Sequence, residues 1–245
     1  MYFFIHLGTY YFQVVSDDKD IIIPLRDRWL TVTTVVVPPG KKIIIDVGHL
    51  LKKCEKKFKR LKDNLNISKL DYCDLLITAF IERALVKKRV FFLHGSAVVY
   101  KNRAIVFLGP SGAGKSTILT RIEKPRVYAE DTVIVRMVRN HYAIIKSVFD
   151  KKHINMNDSK EIDLKALYFL AKSKKDFIKR LSTNEYLENI LHNNILIMSE
   201  LTMDKDIQRL HLSHLFSLTA NIPGNTLFFK KTGRIKMSIF DTKED

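Results

Sequence analysis

Nine consecutive residues, Gly109-Pro110-Ser111-Gly112-Ala113-Gly114-Lys115-Ser116-Thr117, carry the densest chemical information in the chain. They match the pattern G-x-x-x-x-G-K-[ST]. Glycines at 109, 112 and 114 let the backbone take positive φ and approach a bound group closely, so that successive amides converge on phosphate oxygens. Lys115 is then placed to neutralise the β- and γ-phosphates of a nucleotide, and the Ser116 hydroxyl suits Mg²⁺. Farther on, Glu130 and Asp131 follow the run Val127-Tyr128-Ala129. Adjacent carboxylates divide two tasks: one holds a divalent metal, the other takes a proton from an attacking hydroxyl. His94 precedes the loop on an apolar run; if that run pairs with the strand entering the loop, its ring lies near the loop. By itself, a lone histidine on a strand is more often a packed core residue.

These groups need elements to position them. Ala104–Leu108 reads as the strand that enters the loop, and a helix begins near Ser116. Residues 90–100 form one further strand, and Lys101-Asn102 is a turn too short for anything but antiparallel pairing with 103–108. More strands are expected near 126–130, 132–138 and 142–148. Upstream, residues 1–47 read as short strands: the opening apolar run, Ile21–Ile23, Thr31–Val37 and Ile43–Ile45, broken by Pro24 and Pro38-Pro39-Gly40. Residues 48–65 change to helical period, with Leu51, Cys54, Phe58, Leu61 and Leu65 on one face and Lys52, Lys53, Lys56, Lys57, Lys59, Arg60 and Lys62 on the other. Ser68 with Asp71 three residues later marks the capped start of a second helix running towards Val86. Residues 161–193 read as helical, from Leu164, Leu167, Tyr168 and then Phe177, Leu181, Tyr186, Leu187 and Ile190. Residues 225–240 read as a hairpin turning at Thr232-Gly233.

The composition bounds the class. Of 245 residues, 46% are hydrophobic and 28% charged, enough to bury a core; 9 Gly and 6 Pro exclude collagen-like and Pro/Gly-rich disordered chains. Two cysteines, Cys54 and Cys73, cannot build a disulfide framework and read as core thiols. No segment reaches the roughly 18 apolar residues of a spanning helix, so a soluble, cytoplasmic protein is expected. The formal charge of +16 implies an anionic partner. Residues 41–69 concentrate ten Lys/Arg against three Asp/Glu. His211-x-x-His214 places two rings on one helix face, but no Cys or carboxylate completes a zinc set nearby, so a surface or packed pair is expected. Trp29 is expected in the core.

The string Leu93-His94-Gly95-Ser96-Ala97-Val98, the short turn, Phe107 through Thr117 and then Ala129-Glu130-Asp131 resembles the catalytic domain of the HPr kinases, which share a nucleotide fold with phosphoenolpyruvate carboxykinases. The tail Asn221-Ile222-Pro223-Gly224-Asn225-Thr226-Leu227-Phe228-Phe229 resembles the closing strand of that group. The specific part of the likeness spans about 70–150, with weaker support out to 240. The resemblance implies an α/β fold with a mixed, twisted sheet carrying the phosphate loop; with the residue patterns above, the chain is expected to divide into an N-terminal β-rich extension with its basic helix at 1–66 and the loop-bearing domain at 67–245. It implies ATP and Mg²⁺ as cofactors, Gly109 to Ser116 at the triphosphate, Ser116 and Asp131 at the metal, and Lys115, His94 and Glu130 in catalysis. Glu130 stands where the family has the first Asp of an Asp-Asp pair, the general base. The implied activity is transfer of a γ-phosphoryl group to a hydroxyl, foremost a serine of a peptide or protein, otherwise a small molecule. The HPr kinases' downstream protein-gripping loop has no match here, and their hexameric assembly raises homo-oligomerisation.

Two alternatives from the residues stay open. One is an NTPase linked to nucleic acid or membrane, favoured by the basic charge but lacking aromatic–basic interleaving and a distant Asp-Glu strand end. The other is a regulatory module that holds nucleotide without turnover.

Overall fold

The computed structural model describes residues 1–7, 10–29, 42–65, 68–139, 141–146, 161–198 and 205–241. The expected strand at Thr31–Val37 lies outside them, as does the side chain of Trp29. The described chain is a mixed α/β protein with two sheets and six α-helices.

The smaller sheet is N-terminal. β1 (Tyr2–Leu7) pairs antiparallel with β2 (Tyr10–Val15), and β2 pairs parallel with β3 (Lys42–Asp46). Between β2 and β3 runs α1 (Lys19–Trp29), where Ile21–Ile23 were expected as strand. Their β-branched side chains favour strand locally, but Ile21, Ile22 and Leu25 are buried in one apolar cluster with α3 (Lys69–Val86). Tertiary burial overrides the local preference, and the helix accommodates Pro24. α2 (Val47–Leu65) and α3 follow, as read. Cys54 of α2 packs on Tyr72 and Leu76 of α3. Ser68 caps α3 by accepting from the Asp71 amide at 3.1 Å.

The larger sheet has eight strands. β4 (Val90–Tyr100) turns through Lys101 and Asn102, with φ of +48° and +61°, into β5 (Arg103–Leu108). Both turn residues being left-handed gives the tight antiparallel hairpin read from the sequence. α4 (Lys115–Arg121) follows, then β6 (Arg126–Ala129), β7 (Thr132–Val138) and β8 (His141–Ile145). β6 and β7 lie end to end along β4, interrupted only by Glu130 and Asp131.

Residues 161–193, expected to be helical, divide differently: β9 (Ile162–Lys172), β10 (Phe177–Arg180) and only then α5 (Thr183–Met198). β9 lies parallel between β5 and β11 (Gly224–Phe229), with helices on both faces. A strand buried on both sides carries a near-continuous apolar run, which imitates helical spacing. α6 (Lys205–Asn221) completes the helices. The expected hairpin at residues 225–240 is absent. β11 is instead sandwiched between β9 and β10, and residues after it run beside α4, where Ile235 bridges Ile122. The sheet order is β10-β11-β9-β5-β4-β7-β8, and β8 also pairs back onto β9.

β5 is the centre of the molecule. Ala104, Val106 and Leu108 face α5 and α6; Ile105 and Phe107 face α4 and the C-terminal Phe240. Burying such side chains on both faces contributes roughly 1.5–3 kcal/mol each, so the loop that follows β5 is anchored on a stiff base. His214 and His211 of α6 are a packed pair: His214 Nε2 lies 3.0 Å from the Val86 carbonyl, and both rings pack on Phe91. Cys54 and Cys73 are free, buried thiols. No helix among the described residues is long and apolar enough to cross a membrane.

Candidate functional site

β5 ends at the sheet's carboxyl edge, and Gly109–Gly114 turns there into α4. The turn is closed by the Ala113 amide donating to the Pro110 carbonyl at 3.0 Å. Gly114 sits at φ +107°, and a Cβ on it would stand 2.5 Å from the Phe229 ring, so only glycine fits there. Pro110, Ser111, Gly112 and Ser116 are exposed, Ala113 and Thr117 half-buried.

Lys115 is the buried member, 9% exposed. Its ammonium donates to the Gly109 carbonyl at 2.8 Å and to the Pro110 carbonyl at 3.3 Å. It also stands 2.9 Å from His94 Nε2. Because an ammonium only donates, Nε2 must accept, which places the ring proton on Nδ1. That nitrogen faces Asp131 Oδ1 at 3.5 Å. Burial lowers the Lys115 pKa against the opposing attraction of Asp131. Burial, then the Lys115 charge, likewise holds the His94 pKa below the ordinary histidine value, again opposed by Asp131. Burial and Lys115 thus favour the neutral ring, and Asp131 favours the charged one.

Strand geometry explains the convergence. His94 pairs with Thr132 and Ala97 with Ala129, so Glu130 and Asp131 fall in the gap between β7 and β6, opposite Gly95 and Ser96. The Gly95 amide donates to the Asp131 carbonyl at 3.0 Å, fixing that gap. A Cβ at Gly95 would lie 2.7 Å from the Phe107 carbonyl oxygen, so glycine lets β4 and β5 close up beneath the loop. On the face of β4 that carries His94, Val90 and Phe92 pack with α3 and Val98 packs with α4. His94 falls between the two packed groups and stays partly open.

Lys115, His94 and Asp131, far apart in sequence, therefore form one contiguous chain. Glu130 is half-buried beside them, and Ser116 opens the first turn of α4. Among the described residues no three His, Cys, Asp or Glu side chains group to hold a metal ion by themselves.

One part of the arrangement has no motif in the sequence. Arg121, in the last turn of α4, is 5% exposed. Its guanidinium reaches Asp176 at 3.0 Å, the Gly233 carbonyl at 2.8 Å and the Lys230 carbonyl. Asp176 in turn accepts from the Lys230 amide at 2.8 Å. Phe229, which supports Gly114, carries the Arg121 guanidinium 6.0 Å from its ring centre. A basic residue near a helix C-terminus was a weak signal; its partners are more than fifty residues away.

The chain thus presents a glycine-rich loop between a central strand and a helix, on a mixed sheet with six helices. It belongs to the family of the SynChlorMet cassette protein ScmC, whose family model matches residues 61–240. No curated protein sequence matches the chain at a significant level. Among solved structures similar to it is the HPr(Ser) kinase/phosphatase from Coxiella burnetii, at 10% identity and a TM-score of 0.29, covering 57% of this chain and 85% of that one. That is a distant, kinase-like likeness, and it carries no argument about chemistry.

Proposed function

We propose that this protein is an ATP-dependent kinase that moves a γ-phosphoryl group onto a hydroxyl, foremost a serine of a peptide or protein. The observation that carries the reading is the contiguous chain Lys115–His94–Asp131 at the mouth of the glycine-rich loop. In this reading the amides of Gly109 to Ser116 bind the triphosphate, and Lys115 moves from its carbonyl partners to the β/γ oxygens. Magnesium takes one or two protein oxygens plus phosphate oxygens. The exposed Ser116 hydroxyl and the largely exposed Asp131 carboxylate meet that demand. Bound there, the metal supplies charge neutralisation. Glu130 accepts the proton of the attacking hydroxyl, and neutral His94 turns its Nδ1–H towards Asp131.

The test is single-turnover transfer from labelled ATP with Mg²⁺ to serine peptides and hydroxylated metabolites. Glu130→Gln should retain ATP binding and lose at least about a hundredfold in transfer. A Glu130→Gln protein with full transfer removes the base assignment; ATP retained without turnover by wild type favours a regulatory nucleotide-binding role.

A further inference from the structure

β10 is the outer strand of the larger sheet, and among the described residues no strand pairs with its other side. Leu181 donates its amide inward to Gly224 at 3.1 Å. In the alternating antiparallel pattern, Lys179 and Phe177 then also bond inward, while Ile178 and Arg180 present N–H and C=O outward. Phe177, 45% exposed, stacks on Phe228 with ring centres 4.5 Å apart and planes 7° apart. The corner where β9 and β11 end and β10 begins is strongly basic: Lys172, Lys174, Lys175, Lys230 and Lys231 are exposed there, and Arg180 is exposed at the far end of β10, where Lys179 pairs with Glu185. Asp176, the acid within that stretch, is already engaged by Arg121 and the Lys230 amide. Lysines do protect sheet edges from aggregation. Here, however, the turn that carries them is held in place: Ser173 donates its amide to the Phe229 carbonyl at 2.8 Å and accepts from the Lys175 amide at 3.2 Å.

We propose that the outer edge of β10 docks an extended, acidic peptide segment, which adds a strand to the sheet while its carboxylates meet the surrounding lysines. The docking stands on the edge and its charge alone; that the docked molecule is also the phosphoryl acceptor rests on the kinase reading. Geometry then sets a spacing. An added strand lies four strand intervals from β5, about 19 Å at ~4.8 Å each. At ~3.3 Å per extended residue, about six residues separate the docking segment from the hydroxyl that reaches the loop.

The experiment is fluorescence anisotropy with the full chain, without nucleotide, using a labelled octapeptide alternating Glu and Val. Wild type should bind it, and the version with Lys for Glu should not bind. Lys174→Glu with Lys175→Glu, and separately Ile178→Pro, should each weaken binding about tenfold. Circular dichroism checks that both variants fold. An octapeptide N-methylated at alternate residues repeats the backbone test without altering the protein and should also lose about tenfold. Equal affinity for the methylated peptide overturns strand addition. Failure of the acidic peptide, or tighter binding of single-stranded DNA of the same charge to the same lysines, overturns the peptide assignment. Phosphoryl transfer is scored separately: docking without transfer faults the kinase reading and leaves the edge standing.

Discussion

Replacing Arg121 by methionine removes a positive charge from a site 95% buried while leaving its acid behind. Arg121→Met keeps much of the aliphatic stem but strands the Asp176 carboxylate and the Lys230 and Gly233 carbonyls. Removing one partner of a buried pair costs about 3–5 kcal/mol. Asp176 keeps 19% exposure, so water partly re-solvates it, and the lower end, about 3 kcal/mol, is expected. At roughly 2–4 °C per kcal/mol for a chain of this size, Tm should fall by about 6–12 °C. The double variant Arg121→Met/Asp176→Leu removes both charges and should recover most of the loss. The pH dependence has a definite sign. Burial pushes the Asp176 carboxyl up, but the Arg121 guanidinium and the Lys230 amide outweigh it, holding the pKa below the ordinary value. A depressed acid contributes stability that is present above its unfolded pKa and fades as pH falls through the folded one. The gap between wild type and Arg121→Met should therefore narrow below about pH 4. The assay is thermal unfolding by circular dichroism between pH 3 and 7. A drop under about 2 °C at pH 7, or a double variant no more stable than the single, would refute the reasoning.

Gly114→Ala should lower Tm by about 2–12 °C, because the new Cβ meets the Phe229 ring at 2.5 Å and φ is +107°, a strain of about 1–3 kcal/mol on the folded loop; calorimetry should also show weaker ATP binding, since the displaced loop no longer presents its amides in register. Glu82 is buried on α3, and burial pushes its carboxyl up to about 8 against a hydrogen bond from the Phe92 backbone. A raised acid favours the folded state at low pH, and that contribution is lost as pH rises from the unfolded value, about 4.5, through 8. Glu82→Gln should accordingly match wild type near pH 4.5 and exceed its Tm increasingly towards pH 8.5; parallel Tm curves for the two proteins would sink this assignment.

The nearness of His94 to the glycine-rich loop was easier to read from the sequence than the fold around it. Loop glycines and Lys115 are written in consecutive positions, and the Lys101-Asn102 turn ties His94 to the same strand pair by local geometry alone. The β9 strand was misread because a strand packed on both faces has no period-two alternation. Ile21–Ile23 were misread because their β-branched preference yields to burial against α3. The tail escapes any hairpin rule: its course after Phe229 is set by Arg121, more than a hundred residues earlier, through the Lys230 and Gly233 carbonyls. Nor does spacing reveal that Glu130 and Asp131 interrupt a strand opposite Gly95, since the interruption is defined by pairing to β4.

The proposed function requires that the loop at Gly109–Ser116 grip a polyphosphate with Lys115 neutralising it. Isothermal calorimetry of ATP with Mg²⁺ against wild type and Lys115→Met tests it most directly. Wild type should show a single saturable site and the variant at least about tenfold weaker binding, the loss expected for a charge-assisted contact. Folded wild type that takes up neither ATP, GTP, ADP nor pyrophosphate with magnesium present would contradict it.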